Sequence, residues 1–181
     1  MRKFAFLAVA ALAVAVPAQA QSCNIANSAG SSVSCTVGTS FAMTMPSLMN
    51  LTLSGTSVTL AAPTAVGDFD ADGLSSKETT GPNFTVRSNR SYRVQISADA
   101  ATFTHTAQTG AATYNKPAGD VSWSVDGGAY TALTTTPTNI GSGSATSLST
   151  AVAVGYKTAY DITKDQPGAY SLAVTFTLVA P

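Results

Sequence analysis

Charged side chains are scarce in this 181-residue chain, and their scarcity limits the partners that the protein can have. Only 10% of the residues are Asp, Glu, Lys or Arg, and nine basic residues balance nine acidic ones. Soluble domains typically carry roughly 25% charged residues. Because no excess of positive charge is available to neutralise phosphates, we expect no nucleic-acid partner.

Histidine and glutamate are almost absent, which argues against hydrolytic chemistry. His105 is the only histidine and Glu78 the only glutamate. His105 lies in an alternating run that predicts a strand rather than a catalytic loop, and the sequence has no G-x-S-x-G elbow. We therefore expect no enzymatic activity and no catalytic residues. A glycosidase-like carboxylate pair would have to come from aspartates that flank predicted turns, namely Asp99, Asp120, Asp126, Asp161 and Asp165.

Long apolar runs are also absent beyond the first 20 residues. Two basic residues precede an apolar run over residues 4–16, and a small-residue cleavage site ends at Ala20. This pattern is typical of a secretory signal peptide at residues 1–20 and is too short for a membrane span. We expect export to the periplasm, the cell surface or the extracellular space, with residues 21–181 as one domain. Seven basic and nine acidic residues remain in that domain, a net charge of −2.

The chain has only two cysteines, Cys23 and Cys35. In an exported protein the simplest interpretation is one disulfide between them, which would stabilise the fold by about 3 kcal/mol in the chain-entropy model. A lipid-anchored Cys23 is the alternative, but the segment before it lacks the leucine of a lipobox. No C-x-x-C spacing or nearby histidine favours a redox or metal role.

Short alternating or β-branched runs, separated by turn-forming residues, fill the rest of the chain. No stretch keeps a helical period for more than two turns, so the sequence predicts an all-β protein. The expected architecture is a single-domain antiparallel β-sandwich, immunoglobulin-like or pilin-like, with about ten strands. The predicted strands cover residues 32–37, 48–54, 57–61, 83–88, 91–98, 101–106, 121–125, 129–133, 150–157 and 170–179.

Turn residues and polarity complete this prediction. The segments 88–90 and 126–128 are typical of β-hairpin turns. The last predicted strand, 170–179, places its large apolar residues on one parity, which predicts a half-buried central strand. The Thr-, Ser- and Gly-rich stretch over residues 134–149 has no clear pattern and predicts a mobile surface loop.

The sharpest local motif is the run of alternate aspartates at Asp68, Asp70 and Asp72, which a glycine follows. Alternate carboxylates in a tight loop can converge on one Ca²⁺ ion. Glu78 and the Leu74 carbonyl would complete the shell, although Glu78 lies one position early for the EF-hand template. The alternative is a solvated loop whose aspartates form Asx-turns. The sequence thus gives a candidate calcium site, with calcium as the candidate cofactor.

Carbohydrate recognition would require aromatic side chains on the surface beside polar groups. Trp123 shares its parity with Val121 and Val125, so we expect it to face the interior. A glycan platform would then depend mainly on tyrosines, for which the candidates are Tyr114, Tyr130, Tyr156 and Tyr160.

Arg87, Arg90 and Arg93 form the only basic cluster of the chain. They surround a predicted turn, where they would either meet an anionic partner or keep the protein soluble. Three arginines without a recognisable anion-binding motif favour solubility.

Several of these features together resemble bacterial secreted β-sandwich proteins of the spore coat protein U type, which are relatives of archaic chaperone-usher pilins. They are the exported start, the early Cys23 and Cys35, the segment 84–94 and the closing segment 166–176. The resemblance spans most of the mature chain and implies a role in surface coats or fibres that assemble by strand exchange. Such a pilin carries an alternating apolar extension before its first cysteine. Here only two residues follow the signal peptide before Cys23, so donor-strand polymerisation is not implied.

The sequence as a whole predicts a non-catalytic structural or adhesive protein of the bacterial cell surface or periplasm, as a component of a coat or fibre. Its expected partners are other copies of itself or surface proteins, which would bind through an exposed strand edge. The alternative is a secreted binding module for a glycan or a protein ligand, with a fold stabilised by calcium.

Overall fold

The computed structural model describes residues 37–181, which form an all-β structure and confirm the predicted fold class. Contacts between Cα atoms divide the chain into residues 1–45 and 46–181. The signal peptide, the Cys23–Cys35 pair and nearly all of the strand predicted at 32–37 lie outside the described residues. Within residues 37–181 no helix is long and apolar enough to cross a membrane.

Eleven strands are present in the described part of the chain, and two short 3-10 turns, Val66–Asp68 and Ala118–Asp120, lie between them. The strands are β1 (Met49–Leu53), β2 (Leu74–Thr80), β3 (Phe84–Ser88), β4 (Tyr92–Ala98), β5 (Thr104–Ala107), β6 (Val121–Val125), β7 (Thr131–Ala132), β8 (Thr138–Gly143), β9 (Val154–Asp161), β10 (Gly168–Ser171) and β11 (Val174–Val179).

The strands pair antiparallel in four sheets. The two largest have the orders β2-β9-β6-β7 and β11-β4-β8, and the two smaller ones pair β1 with β3 and β5 with β10. Several antiparallel sheets around one interior are consistent with the predicted β-sandwich.

One apolar core joins these sheets because alternate residues of each strand point to the same side. On β4 the burial alternates along the strand, and Val94 and Ile96 are at most 1% exposed. Trp123 of β6 is 7% exposed, which confirms the prediction that it faces the interior. The core consists of Phe84, Val86, Tyr92, Val94, Ile96, Ala98, Phe103, Ala118, Val121, Trp123, Leu133, Ile140, Val154 and Tyr156.

The turn predicted at residues 126–128 is present and joins the paired strands β6 and β7. Asp126 and Gly127 both have positive φ angles, 48° and 75°. The Gly128 N–H donates a hydrogen bond to the Val125 carbonyl at 2.9 Å. Two successive positive φ angles are the signature of a type I′ hairpin turn, in which Asp-Gly is a favoured pair.

The hairpin predicted around residues 88–90 is wrong. The turn itself is tight, because the Ser88 hydroxyl donates to the Arg90 carbonyl at 2.6 Å. The flanking strands β3 and β4 nevertheless pair in different sheets, β3 with β1 and β4 with β8 and β11. A local turn pattern indicates that the chain reverses direction. Long-range pairing decides whether the two strands that flank the turn form hydrogen bonds with each other.

Two strands occur where the sequence predicted none. The stretch 134–149, predicted as a mobile loop, contains β8, which pairs with β4 through a β-bulge between Val94 and Gln95. The polar strand β2 pairs with β9 along its whole length. Both strands are rich in Ser, Thr, Gly or charged residues, and β2 has no fully buried residue, so neither carries a strong apolar alternation.

Other predicted strands differ in extent. Residues 57–61 form no strand, although Val58 and Leu60 pack against the core. The strand predicted at 170–179 is divided into β10 and β11, and its apolar parity is retained, with Phe176 and Leu178 half-buried. Among the strands of residues 37–181 β11 pairs only with β4 and is the edge strand of its sheet, whereas the pattern predicted a central strand.

Truncating Ile96 to Ala tests the core directly. Ile96 is 1% exposed on β4, and the cavity left by Ile96→Ala should lower the free energy of unfolding by about 2–5 kcal/mol. Urea denaturation of both proteins measures the difference. Arg93→Ala, at an exposed position of the same strand, is the matched control and should change stability by no more than about 0.5 kcal/mol. Equal effects of the two substitutions would contradict this assignment of the core.

Candidate functional site

The candidate calcium ligand Asp68 is already bonded to its own loop. Its Oδ2 accepts hydrogen bonds from the backbone N–H groups of Thr64, at 2.6 Å, and Ala65, at 3.1 Å. Its Oδ1 lies 3.3 Å from Lys77 Nζ. These backbone donors, together with Lys77, lower the pKa of Asp68 to about 2. The carboxylate therefore has its negative charge balanced without an ion.

The other candidate ligands do not join Asp68. Asp72 Oδ1 accepts the N–H of Leu74 at 3.2 Å, which is an Asx-turn, and Glu78 stands opposite Lys157 in the β2–β9 ladder. Among residues 37–181 no group of three His, Cys, Asp or Glu side chains is arranged to hold a metal ion. This geometry favours the solvated-loop interpretation, and calcium binding stays a prediction.

His105 is built into the pairing of β5 with β10. Its Nδ1 accepts the N–H of Tyr114 at 3.0 Å, and its ring stacks on Tyr170 with 4.1 Å between ring centroids. Its Nε2 is buried and has no hydrogen-bond partner among residues 37–181, and a Cβ at Gly168 would approach it to 2.4 Å. Only glycine therefore fits opposite this ring. The contacts give the imidazole a packing role between two strands.

Most of the aromatic residues considered for a glycan platform are engaged in the structure. Trp123 and Tyr156 are 7% and 5% exposed, and burial raises the pKa of Tyr156 to about 12. The Tyr160 hydroxyl donates to the Ala61 carbonyl at 3.1 Å. Tyr114 is half-buried, and Tyr130 is 38% exposed.

The three arginines are exposed, and none of them forms an ion pair within residues 37–181. Arg87 lies at an open groove of about 680 Å³ between β1, β3 and the chain near Thr146. Asn89 shapes one end of this groove, because its side chain donates to the Pro46 carbonyl at 2.7 Å and accepts the Leu48 N–H at 2.9 Å.

An apolar segment precedes this domain, and we call residues 37–45 the arm. Phe41, Met43 and Met45 alternate along it and are 95%, 83% and 71% exposed. No strand or helix is assigned in the arm. Large apolar side chains with this exposure are unusual on a soluble protein and are typical of an interaction surface.

The edge strand β11 offers unpaired backbone groups. Asp99 N–H donates to the Ala173 carbonyl at 2.9 Å, and by antiparallel alternation Thr175 and Thr177 also point their backbone groups toward β4. The backbone N–H and C=O groups of Val174, Phe176 and Leu178 therefore point away from β4. Within residues 37–181 no backbone hydrogen bond satisfies that side of the strand.

A buried ion cluster surrounds Lys116, just before β6. Lys116 Nζ lies 2.8 Å from Asp165 Oδ2, 3.2 Å from Asp120 Oδ2 and 2.6 Å from the Ala159 carbonyl oxygen. The Lys116 side chain is 3% exposed, and that of Asp165 is 12% exposed. The Tyr160 ring covers Nζ at 4.9 Å from its centroid.

Sequence reasoning missed both the arm and the Lys116 cluster. The alternation of Phe41, Met43 and Met45 is visible in the sequence as a period of two and would have identified the arm. Lys116 and Asp120 have a helical i,i+4 spacing, but Asp165 is 49 positions from Lys116, and no local pattern connects them.

No family model matches the chain, and no curated protein or solved structure matches it significantly.

Calcium binding has a simple test in thermal unfolding. A bound ion that recognises only the folded state raises the Tm, by several degrees when it is present far above its dissociation constant. Melts of the mature protein in excess Ca²⁺ and in chelator should then differ if Asp68, Asp70, Asp72 and Glu78 form a site. Identical melting curves would contradict the calcium prediction.

Asp68 gives a pH-dependent prediction. Its folded pKa of about 2 lies below its ordinary value of 3.8, so its bonds contribute stability above pH 3.8 that is lost as the pH falls toward 2. Asp68→Asn should therefore have a lower urea midpoint than the wild type at pH 6, and the gap should close near pH 2. Asp70→Asn is the matched control from the same loop. A gap for Asp68→Asn that does not change with pH would contradict the prediction.

Proposed function

We propose that this is an exported, non-catalytic structural or adhesive protein of the bacterial cell surface or periplasm. It acts as a component of a coat or fibre, and its copies associate through an exposed strand edge. The proposal includes the finer description of the fold, a single immunoglobulin-like or pilin-like β-sandwich with a Cys23–Cys35 disulfide. The secretory pattern of residues 1–20 supports export.

The exposed apolar alternation of the arm is the observation that carries the proposal. Phe41, Met43 and Met45 have the period of a β-strand with one apolar face. An extended segment of this kind can add to the edge of a sheet in another protein. Backbone hydrogen bonds then supply affinity, and alternate side chains enter apolar sites.

The edge of β11 supports the proposal from the receiving side. Soluble proteins usually protect sheet edges with charged residues, proline, bulges or very short strands. β11 contains no charged residue and no proline. By contrast, the edge strand β2 carries Lys77 and Glu78, and the edge strand β7 is only two residues long. The inward side chains Val174, Phe176 and Leu178 are only half-buried. An added strand would complete both the ladder and the apolar cover.

The alternative proposal is a secreted binding module for a glycan or protein ligand, with calcium as a stabiliser. The open groove beside Arg87 and Asn89 favours it, because polar side chains line a concave surface there. This groove lies in the described domain and does not require a second copy of the chain. The two proposals therefore differ in the native mass that they predict.

The native mass of the mature protein from its own cells tests assembly. We expect a ladder or high-mass species in unheated samples in mild detergent, which collapses to one monomer band on heating. The triple substitution Phe41→Ser, Met43→Ser and Met45→Ser should leave only monomer, because it removes the apolar face of the arm.

The double substitution Ala42→Ser and Thr44→Ser is the matched control, since it changes the opposite parity of the same segment. It should retain the high-mass species. A wild-type protein that stays monomeric at every concentration would overturn the assembly proposal and shift attention to glycan and Ca²⁺ titrations. Assembly that survives the triple substitution would exclude the arm as the contact.

A further inference from the structure

Lys116 is the only charged residue among residues 37–181 that is fully buried, and it is held against two carboxylates. Its Nζ lies 2.9 Å from Asp165 Oδ1, 2.8 Å from Asp165 Oδ2 and 3.2 Å from Asp120 Oδ2. A fourth acceptor atom is the Ala159 carbonyl oxygen at 2.6 Å. An amine and a carboxyl group are therefore in direct contact at a place with little access to water.

As a set of ions this arrangement is costly. Two carboxylates and one ammonium leave a net negative charge in poorly solvated surroundings, where desolvation can outweigh the attraction between the ions. Lysine is almost never fully buried without such pairing. Joining the amine to one carboxylate would remove both of their charges from the interior.

We propose that Lys116 and Asp165 are joined in the folded protein by an amide bond between Nζ and Cγ. The bond forms with the loss of one water, and Asp120 carries the protons. This assigns the cluster as a self-modification site, and the inference is independent of the proposed surface assembly. The fold itself supplies every group that the reaction needs.

The step balances without any further reactant. Asp120 takes a proton from the Lys116 ammonium and passes it to Asp165 Oδ1, and the neutral amine attacks Cγ of the resulting carboxylic acid. The Nζ–Cγ bond forms and the Cγ–Oδ1 bond breaks. Both protons that Nζ loses end on Oδ1, which leaves as water, and Asp120 ends ionised as it began. No group is oxidised or reduced.

The geometry favours this condensation over the separate ions. Contact of Nζ with both oxygens of Asp165 places it beside Cγ, and fixed contacts of this kind replace a large effective concentration of reactant. The Asp161 N–H donates to Asp165 Oδ2 at 2.9 Å and can stabilise the charge that develops on that oxygen during the attack. The Asp120 side chain is 34% exposed, which provides a path for the released water.

The product would keep both polar atoms of the new amide satisfied. The one hydrogen left on Nζ points to the Ala159 carbonyl, which already accepts a hydrogen bond from it. The amide oxygen, the former Asp165 Oδ2, retains the N–H of Asp161. The bond would link positions 49 residues apart and enclose β6 to β9 in a covalent loop. Such a loop resists extension when the protein is pulled.

The intact mass of the mature wild-type protein tests the inference. After reduction of the disulfide, we expect the measured mass to be lower by one water, about 18 Da, than the mass calculated for residues 21–181. Tandem mass spectrometry of a digest should find a branched peptide in which Lys116 is attached to Asp165. A wild-type protein at the full sequence mass would overturn the inference and leave a non-covalent ion cluster.

Two variants and a control locate the reaction. Lys116→Arg and Asp120→Asn should both have the full sequence mass, and circular dichroism shows whether each is folded. Lys164→Arg changes the exposed lysine that pairs with Asp161 and should still lack one water. If folded Asp120→Asn also lacks the water, Asp120 is not the proton carrier. If Lys116→Arg does not fold, the branched peptide of the wild type decides alone.

Discussion

Alternate side chains of β3, β4, β6 and β9 meet in one apolar core, and the remaining sheets of residues 46–181 pack around it. Because the period of a strand is two, a slip of one residue would turn the apolar side of a strand to solvent. The core therefore fixes the register of each pairing. It also explains the low charge of the chain, since Ser and Thr cover the solvent faces of strands in which charged residues are few.

Strands with strong apolar alternation could be predicted from the sequence. β3, β4 and β6 agree with their predicted bounds to within one residue, and Trp123 is buried as its parity indicated. Strands β2 and β8 were not predictable in this way, because their polar and glycine-rich sequences depend on pairing with β9 and β4. The hairpin predicted at 88–90 failed for a related reason. Local turn residues do not determine which sheet each flanking strand joins.

The candidate sites show the same limit. The spacing of Asp68, Asp70 and Asp72 suggested convergence on an ion, but the backbone of residues 64 and 65 and the side chain of Lys77 engage Asp68. Those partners belong to the three-dimensional loop and not to the motif. The contact between Lys116 and Asp165 had no sequence signal, because this closest carboxylate comes from the segment between β9 and β10.

The pairing of β4 with β11 has a consequence for the order of folding. β11 begins at Val174, and its partner begins more than 80 positions earlier, at Tyr92. The sheet β11-β4-β8 is therefore incomplete until residues 174–179 are available, and distant pairings of this kind form slowly. A chain that emerges N-terminus first therefore has β4 without its partner β11 until those residues have been made. The topology itself thus delays the completion of this sheet.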